Sequence, residues 1–167
     1  AYPGPDPDFQ PRSSDSDVIR HARTKVGVGD HPFFLFVGKR SPRRHVPEIL
    51  AAFRSHLRVS PEHRLVFVGP AGGTPLPDPD DRIIDGGHVD EAILHGLMAT
   101  TLAVVYPSDW EGFGLPVVEA MASGTPCIST DVTGIPEVIA DGDTWWVVRQ
   151  GDALDLADAL QRVLAQP

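Results

Sequence analysis

From His31 onward, short apolar runs alternate with longer segments whose apolar residues recur at helical spacing. Phe33–Gly38 opens with five apolar residues in succession and closes on a glycine, the pattern of a strand buried on both faces. Val46–Leu57 then carries Val46, Ile49, Leu50, Phe53 and Leu57 on one side of an expected helix. The same reading expects strands at Leu65–Gly69, Arg82–Asp85, Leu102–Tyr106, Cys127–Thr130 and Trp145–Val148. Helices are expected from the Asp90 cap to Met98, over Leu115–Ser123, at Pro136–Ala140 and over Asp152–Leu164. Such alternation with short connections predicts an α/β fold, a doubly wound, mostly parallel, Rossmann-like sheet. Ligands of such sheets sit beyond the carboxyl ends of the strands, so the segments that follow strands should converge on one edge.

Residues 1–30 are rich in Pro, Asp, Ser and Gly and read as a linker with one short helix near Ser16–Lys25. Pro70–Asp81, broken by prolines and glycines, reads as a mobile loop. A chain of 167 residues suits one full domain or half of a two-domain enzyme. No apolar run approaches the roughly 18 residues expected of a membrane span. The opening Ala-Tyr-Pro-Gly-Pro-Asp-Pro-Asp has neither the basic nor the apolar region of a signal peptide. Cys127, the lone cysteine, has no internal partner, in keeping with a reducing cytoplasm. A net charge of −9 argues against nucleic-acid binding, yet Lys39, Arg40, Arg43 and Arg44 crowd together directly after the first expected strand.

The stretch Glu111-Gly-Phe-Gly-Leu-Pro-Val-Val-Glu119 places two carboxylates around a glycine-flanked turn at a helix start. Gly112 and Gly114 let the backbone approach a ligand closely. Pro116 is tolerated only in the first turn of the helix. A helix N-terminus offers N–H groups and a positive dipole end to an anion, here the diphosphate of a departing nucleotide. The amides of Phe113, Gly114 and Leu115 suit that task, with Lys39 and Arg44 as candidate cations. Glycosyl transfer passes through an oxocarbenium-like state that a carboxylate on the sugar side stabilises, the role expected of Glu111. Glu119, inside the helix, is placed to accept hydrogen bonds from a ribose diol. Spacing alone leaves open that both glutamates are ordinary surface acids.

Val37-Gly38-Lys39-Arg-Ser-Pro-Arg-Arg44, the Glu111–Glu119 block with Ala120-Met-Ala-Ser-Gly-Thr-Pro126, and Gly134-Ile-Pro-Glu137-Val-Ile-Ala-Asp-Gly142 together resemble family-four retaining glycosyltransferases of the GT-B fold. The similarity runs from about Phe33 to Leu164 and matches the carboxyl-terminal, donor-binding half. It implies that Glu111 contacts the donor sugar and Glu119 the nucleotide ribose. Gly38, Lys39, Arg44 and the Gly112–Leu115 turn would hold the diphosphate, and the backbone near Val89 would meet the base. It implies no cofactor and no metal, a nucleoside-diphosphate sugar with UDP or GDP as substrate, and an acceptor of the lipid-linked or polysaccharide class. The expected domains are a linker over 1–30, a donor-binding domain over 31–167, and an amino-terminal acceptor domain that is absent. The expected setting is the cytoplasm, at the inner face of the membrane for the full-length enzyme. The isolated half should be inactive alone. The sequence departs from the family at Lys39, where Arg is usual, and at Arg44-His45, where Lys-Gly is usual; forked and point-like cations are not equivalent.

Three other readings fare worse. A dinucleotide-binding oxidoreductase needs G-x-G-x-x-G straight after the first strand, and neither Gly69-Pro-Ala-Gly72-Gly73 nor Gly112-Phe-Gly114 has that spacing. A phosphorylase would need a lysine for pyridoxal phosphate, and only Lys25 and Lys39 exist. A non-catalytic nucleotide-sugar-binding module remains the alternative, although Glu111 fits catalysis better. The dispersed histidines give no metal spacing with Cys127, and Ser108-Asp109 has no partnered base in a recognisable order. Asp78, Asp80 and Asp81 fit no EF-hand. Trp145-Trp146 read as packing of the last strand, and His88 as a solvated loop residue.

Overall fold

The computed structural model describes residues 4–13, 16–76, 81–132 and 145–165. Six strands form one parallel sheet: β1 (Phe33–Val37), β2 (Arg64–Val68), β3 (Ile83–Gly87), β4 (Val104–Tyr106), β5 (Cys127–Thr130) and β6 (Trp145–Val148), in the spatial order β3-β2-β1-β4-β5-β6. Among the described residues, five α-helices cover it: α1 (Asp17–Val26), α2 (Val46–His56), α3 (Glu91–Met98), α4 (Leu115–Ala122) and α5 (Ala153–Ala165). The expected helix at Pro136–Ala140 and the Gly134–Gly142 segment lie outside the described residues.

The period of two in each strand divides the core into two layers. Phe34 and Phe36 of β1, Leu65 and Phe67 of β2, Val105, Ile128, Trp146 and Val148 point to one face, where α2 and α5 cover them. Phe33, Leu35, Val37, Val66, Val68, Val104 and Tyr106 point to the other, under α1, α3 and α4. All five residues of β1 are buried, as its unbroken apolar run requires. Each fully buried Phe or Leu contributes about 1.5–3 kcal/mol, so the central strands carry most of the driving force. The two tryptophans of β6 pack as expected, Trp146 within the first layer and Trp145 against the second. No described helix is long and apolar enough to cross a membrane.

The short helix expected near Ser16–Lys25 is present as α1, and residues 17–28 pack on the sheet. Ser16 caps α1 by accepting from the Ile19 amide, and Gly27 closes it in the left-handed region at φ 78°. Ala22, Val26 and Val28 enter the second core layer, and Phe9 sits edge-on against His95 of α3. Gly96 makes the crossing possible, since a Cβ there would stand 2.6 Å from the Ala22 Cβ. Apolar residues every third or fourth position hold this segment. Of the expected Pro70–Asp81 loop, residues 77–80 lie outside the described residues. Pro70 accepts from the Arg40 amide and Leu76 packs on the first core layer.

The strand order places a switch point between β1 and β4. The chain leaves β1 for α2 on one face and leaves β4 for α4 on the other. A crevice therefore opens beyond the carboxyl ends of these two strands, the position where doubly wound sheets take ligands.

Candidate functional site

Two loops face each other across that crevice, one after β1 and one after β4. Gly38 leaves β1 at φ 122°, and its carbonyl lies against Gly69, where an added Cβ would stand 2.5 Å from the Gly38 oxygen. This close approach of two glycines sets the direction of the loop that carries the basic cluster.

The four cations of the cluster divide by role. Arg40 is buried and grips Asp85 of β3 through both terminal nitrogens, each at 2.9 Å. That fork holds the Asp85 carboxyl below its usual range, the hydrogen bond from Arg40 being the main cause. Arg40 thus ties the loop to the sheet. Lys39 is exposed, its stem lying over Gly72. Arg43 spans the crevice, donating to the Ser108 hydroxyl at 3.1 Å and to the Trp110 carbonyl. Arg44 is buried with its guanidinium 4.1 Å from the Tyr106 ring centre, and a terminal nitrogen meets Glu111 at 2.6 Å. Expected beside Lys39 as a cation for a ligand, Arg44 is found bound to Glu111.

Glu111 is itself nearly enclosed, with Arg43 at 3.6 Å as a second cation. Tyr106 completes the group, its phenol hydrogen-bonded toward Glu111 and Arg44. Burial first, and the neighbouring carboxylate after it, push that phenol above its ordinary pKa, so it stays protonated as a donor. His45 adds another strut: its Nε2 stands 2.6 Å from Asp109, and the Asp109 amide donates to the Arg43 carbonyl. His45 adopts φ 52°, the one positive value among described non-glycine residues, where the family resemblance expects Gly. Ser108 is structural: it accepts from Arg43 and donates to the Trp110 carbonyl.

Beyond Glu111, Gly112 is exposed and Gly114 takes φ 72° as the cap of α4. No side chain caps this helix, and Pro116 sits in its first turn, so the N-terminal end of α4 is left to whatever enters the crevice. A cleft of about 390 Å³ runs along it, lined by Tyr106, Trp110, Glu111, Phe113, Leu115 and Pro116. Glu119 lies one turn inside α4 and is half-buried. Its pKa is raised, first by burial and then by the charges of Glu91 and Asp6, so hydroxyl donors that reach it would relieve a real cost. Val89 lies between β3 and the Asp90 cap of α3, its side chain against the core. Tyr106 and Trp110 carry no mark in the sequence, while Arg43 stands out only as part of the basic cluster and His45 only as a departure from Gly.

The profile of the family described as Glycosyl transferases group 1 matches residues 31–166. The chain belongs to this family. It is 30% identical to a D-inositol 3-phosphate glycosyltransferase of Corynebacterium aurimucosum, over 97% of this chain and 42% of that protein. This group 1 glycosyl transferase chain thus spans well under half the length of the curated relatives it matches. Two solved structures share its fold. The C-terminal domain of a group 1 glycosyl transferase from Francisella tularensis superposes with a TM-score of 0.74 at 22% identity, covering 97% of this chain and 88% of that one. Anabaena HepE, solved with UDP-glucose, gives a TM-score of 0.79 at 21% identity, covering 98% of this chain and 46% of that one. The resemblance to family-four, GT-B enzymes and the expected Rossmann-like sheet are both borne out.

Proposed function

We propose that this chain is the donor-binding half of a retaining glycosyltransferase that moves a sugar from a nucleoside-diphosphate sugar to an acceptor held by an amino-terminal half. The observation that carries this reading is the meeting, at one switch point, of an uncapped helix start with a glutamate enclosed by two arginines. The leaving diphosphate gains negative charge as the glycosidic bond breaks. The N-terminal end of α4 favours it by about 0.3–1 kcal/mol, and up to ~2 if partly buried. Cations offer more, since a single preorganised contact to developing charge is worth ~2.7–4 kcal/mol.

Lys39 is the exposed cation on the β1 loop. Arg44 carries five N–H donors, so it can keep Glu111 while donating to phosphate oxygens as well. Glu111, held by Arg44, Arg43 and Tyr106, faces the sugar and stabilises its positive character. Glu119 accepts from the ribose hydroxyls, and the backbone at Val89 meets the base. The residues proposed for the diphosphate are Gly38, Lys39, Arg44 and the Gly112–Leu115 turn. No metal or cofactor takes part in this reading, and the setting proposed for the full-length enzyme is the cytoplasm, at the membrane's inner face.

The test uses the full-length enzyme. Glu111→Gln should lower kcat at least about a hundredfold, the scale of losing one preorganised group, while leaving nucleotide affinity within about twofold. An unchanged kcat would remove Glu111 from the reaction, and a full-length protein that binds the nucleotide sugar but transfers nothing would favour a nucleotide-sugar-binding module. The 167-residue chain should bind nucleotide and transfer nothing.

A further inference from the structure

Trp110 is 60% exposed, whereas Trp146 is 7% exposed and packed in the core. A single exposed tryptophan is ordinary on a protein surface. This one is unusual in how firmly its backbone is held. Its carbonyl accepts from both the Ser108 hydroxyl and the Arg43 guanidinium. The same guanidinium lies over the indole at 5.9 Å from the ring centre, while the residue as a whole stays largely exposed. Trp110 lines the same cleft as Glu111 and directly precedes it in the chain. Glu111 lies inside, 12% exposed, and the indole stands at the lip.

An aromatic face fixed beside an enclosed carboxylate matches a pyranose, which has one apolar C–H face and an edge of hydroxyls. The indole takes the apolar face, and the carboxylate takes hydroxyls or developing positive charge. We propose that Trp110 is the stacking surface for the transferred sugar, with Arg43 as the brace that holds the ring in place. This rests on Glu111 being the sugar-side carboxylate. It adds a residue that reads the sugar and ignores the nucleotide, so Trp110 sets discrimination between a nucleoside-diphosphate sugar and its bare nucleotide.

The experiment is calorimetric titration of this chain and its Trp110→Ala and Trp110→Phe variants. The ligands are UDP against UDP-glucose and GDP against GDP-mannose, with tryptophan emission followed in parallel. For whichever pair binds, Trp110→Ala should weaken the nucleotide sugar roughly three- to tenfold and leave the bare nucleotide within about twofold. Trp110→Phe should restore most of that affinity. In the unsubstituted chain the sugar, and not the bare nucleotide, should quench or blue-shift the exposed indole, a change that Trp110→Phe abolishes. Equal weakening of both ligands, or of neither, overturns the stacking role while leaving the nucleotide-binding reading intact. Failure of the unsubstituted chain to bind either pair overturns both.

Discussion

At the scale of single residues, the site is organised by one buried ion pair. Arg44 and Glu111 are both enclosed, and removing one partner leaves the other charged without compensation. Arg44→Met should therefore cost about 3 kcal/mol or more in urea unfolding. A double-mutant cycle with Glu111→Gln should return a coupling of at least about 1 kcal/mol, whereas additive losses would show that the pair is not felt. Gly69 gives a second test. It sits at φ 118° with the Gly38 oxygen 2.5 Å from where a Cβ would be. Gly69→Ala should cost more than about 2 kcal/mol, through strain and the shift forced on the β1 loop.

The sequence was informative here in proportion to how local the information was. The glycine turn, Pro116 and the two glutamates are read within one stretch of chain. That Arg44 meets Glu111 while Arg40 meets Asp85 depends on which strands are neighbours. Four cations within six positions carry no mark of which one turns inward.

At the scale of elements, strands and helices were legible because both faces of the sheet are covered. Every central strand is then a plain apolar run, and every helix has an apolar side. Asp90 as the α3 cap was legible for the same local reason, and its carboxylate accepts from the Ile93 amide. The packing of α1 on α3 was hidden by the prolines and aspartates around it. Hidden too was a pair of buried histidines joining α2, β2 and α5. His56 Nε2 and His63 Nδ1 lie 2.8 Å apart, and Gln161 donates its amide to His56 Nδ1. This fixes the tautomers, since His56 must donate onward to His63. Glu62 stands beside the outer nitrogen of His63 at 3.3 Å, and Phe34 and Phe53 supply the apolar surround.

Burial is the main reason that His56 is held at a pKa of about 4, and His63 is lowered in the same way. Unfolded imidazoles titrate near 6.5, so between pH 6.5 and 4 the unfolded chain binds protons that the folded chain refuses. Stability is fully present above pH 6.5 and is lost as pH falls, by roughly 3 kcal/mol for His56 by the time pH 4 is reached. Urea unfolding between pH 7 and 4.5 should show this slope, and His56→Leu should flatten it. A wild-type profile that is flat over this range would contradict the paired neutral imidazoles.

At the scale of the whole molecule, the described residues form a doubly wound parallel sheet whose crevice opens beyond β1 and β4. The site elements converge where the strand order reverses, and that follows from topology once the alternation of strands and helices is recognised. Every residue proposed for the donor lies in the loops after β1, β3 and β4 or in α4. The central claim is that these loops recognise a nucleotide through one helix and its carboxylates. The direct measurement is titration of the 167-residue chain with UDP, GDP and ADP, repeated with Glu119→Ala. One of the three should bind, and Glu119→Ala should weaken any nucleotide that binds by about tenfold, as expected for the loss of hydrogen bonds to a charged acceptor. Nucleotide binding unaffected by Glu119→Ala, or no binding of any of the three, would contradict the account.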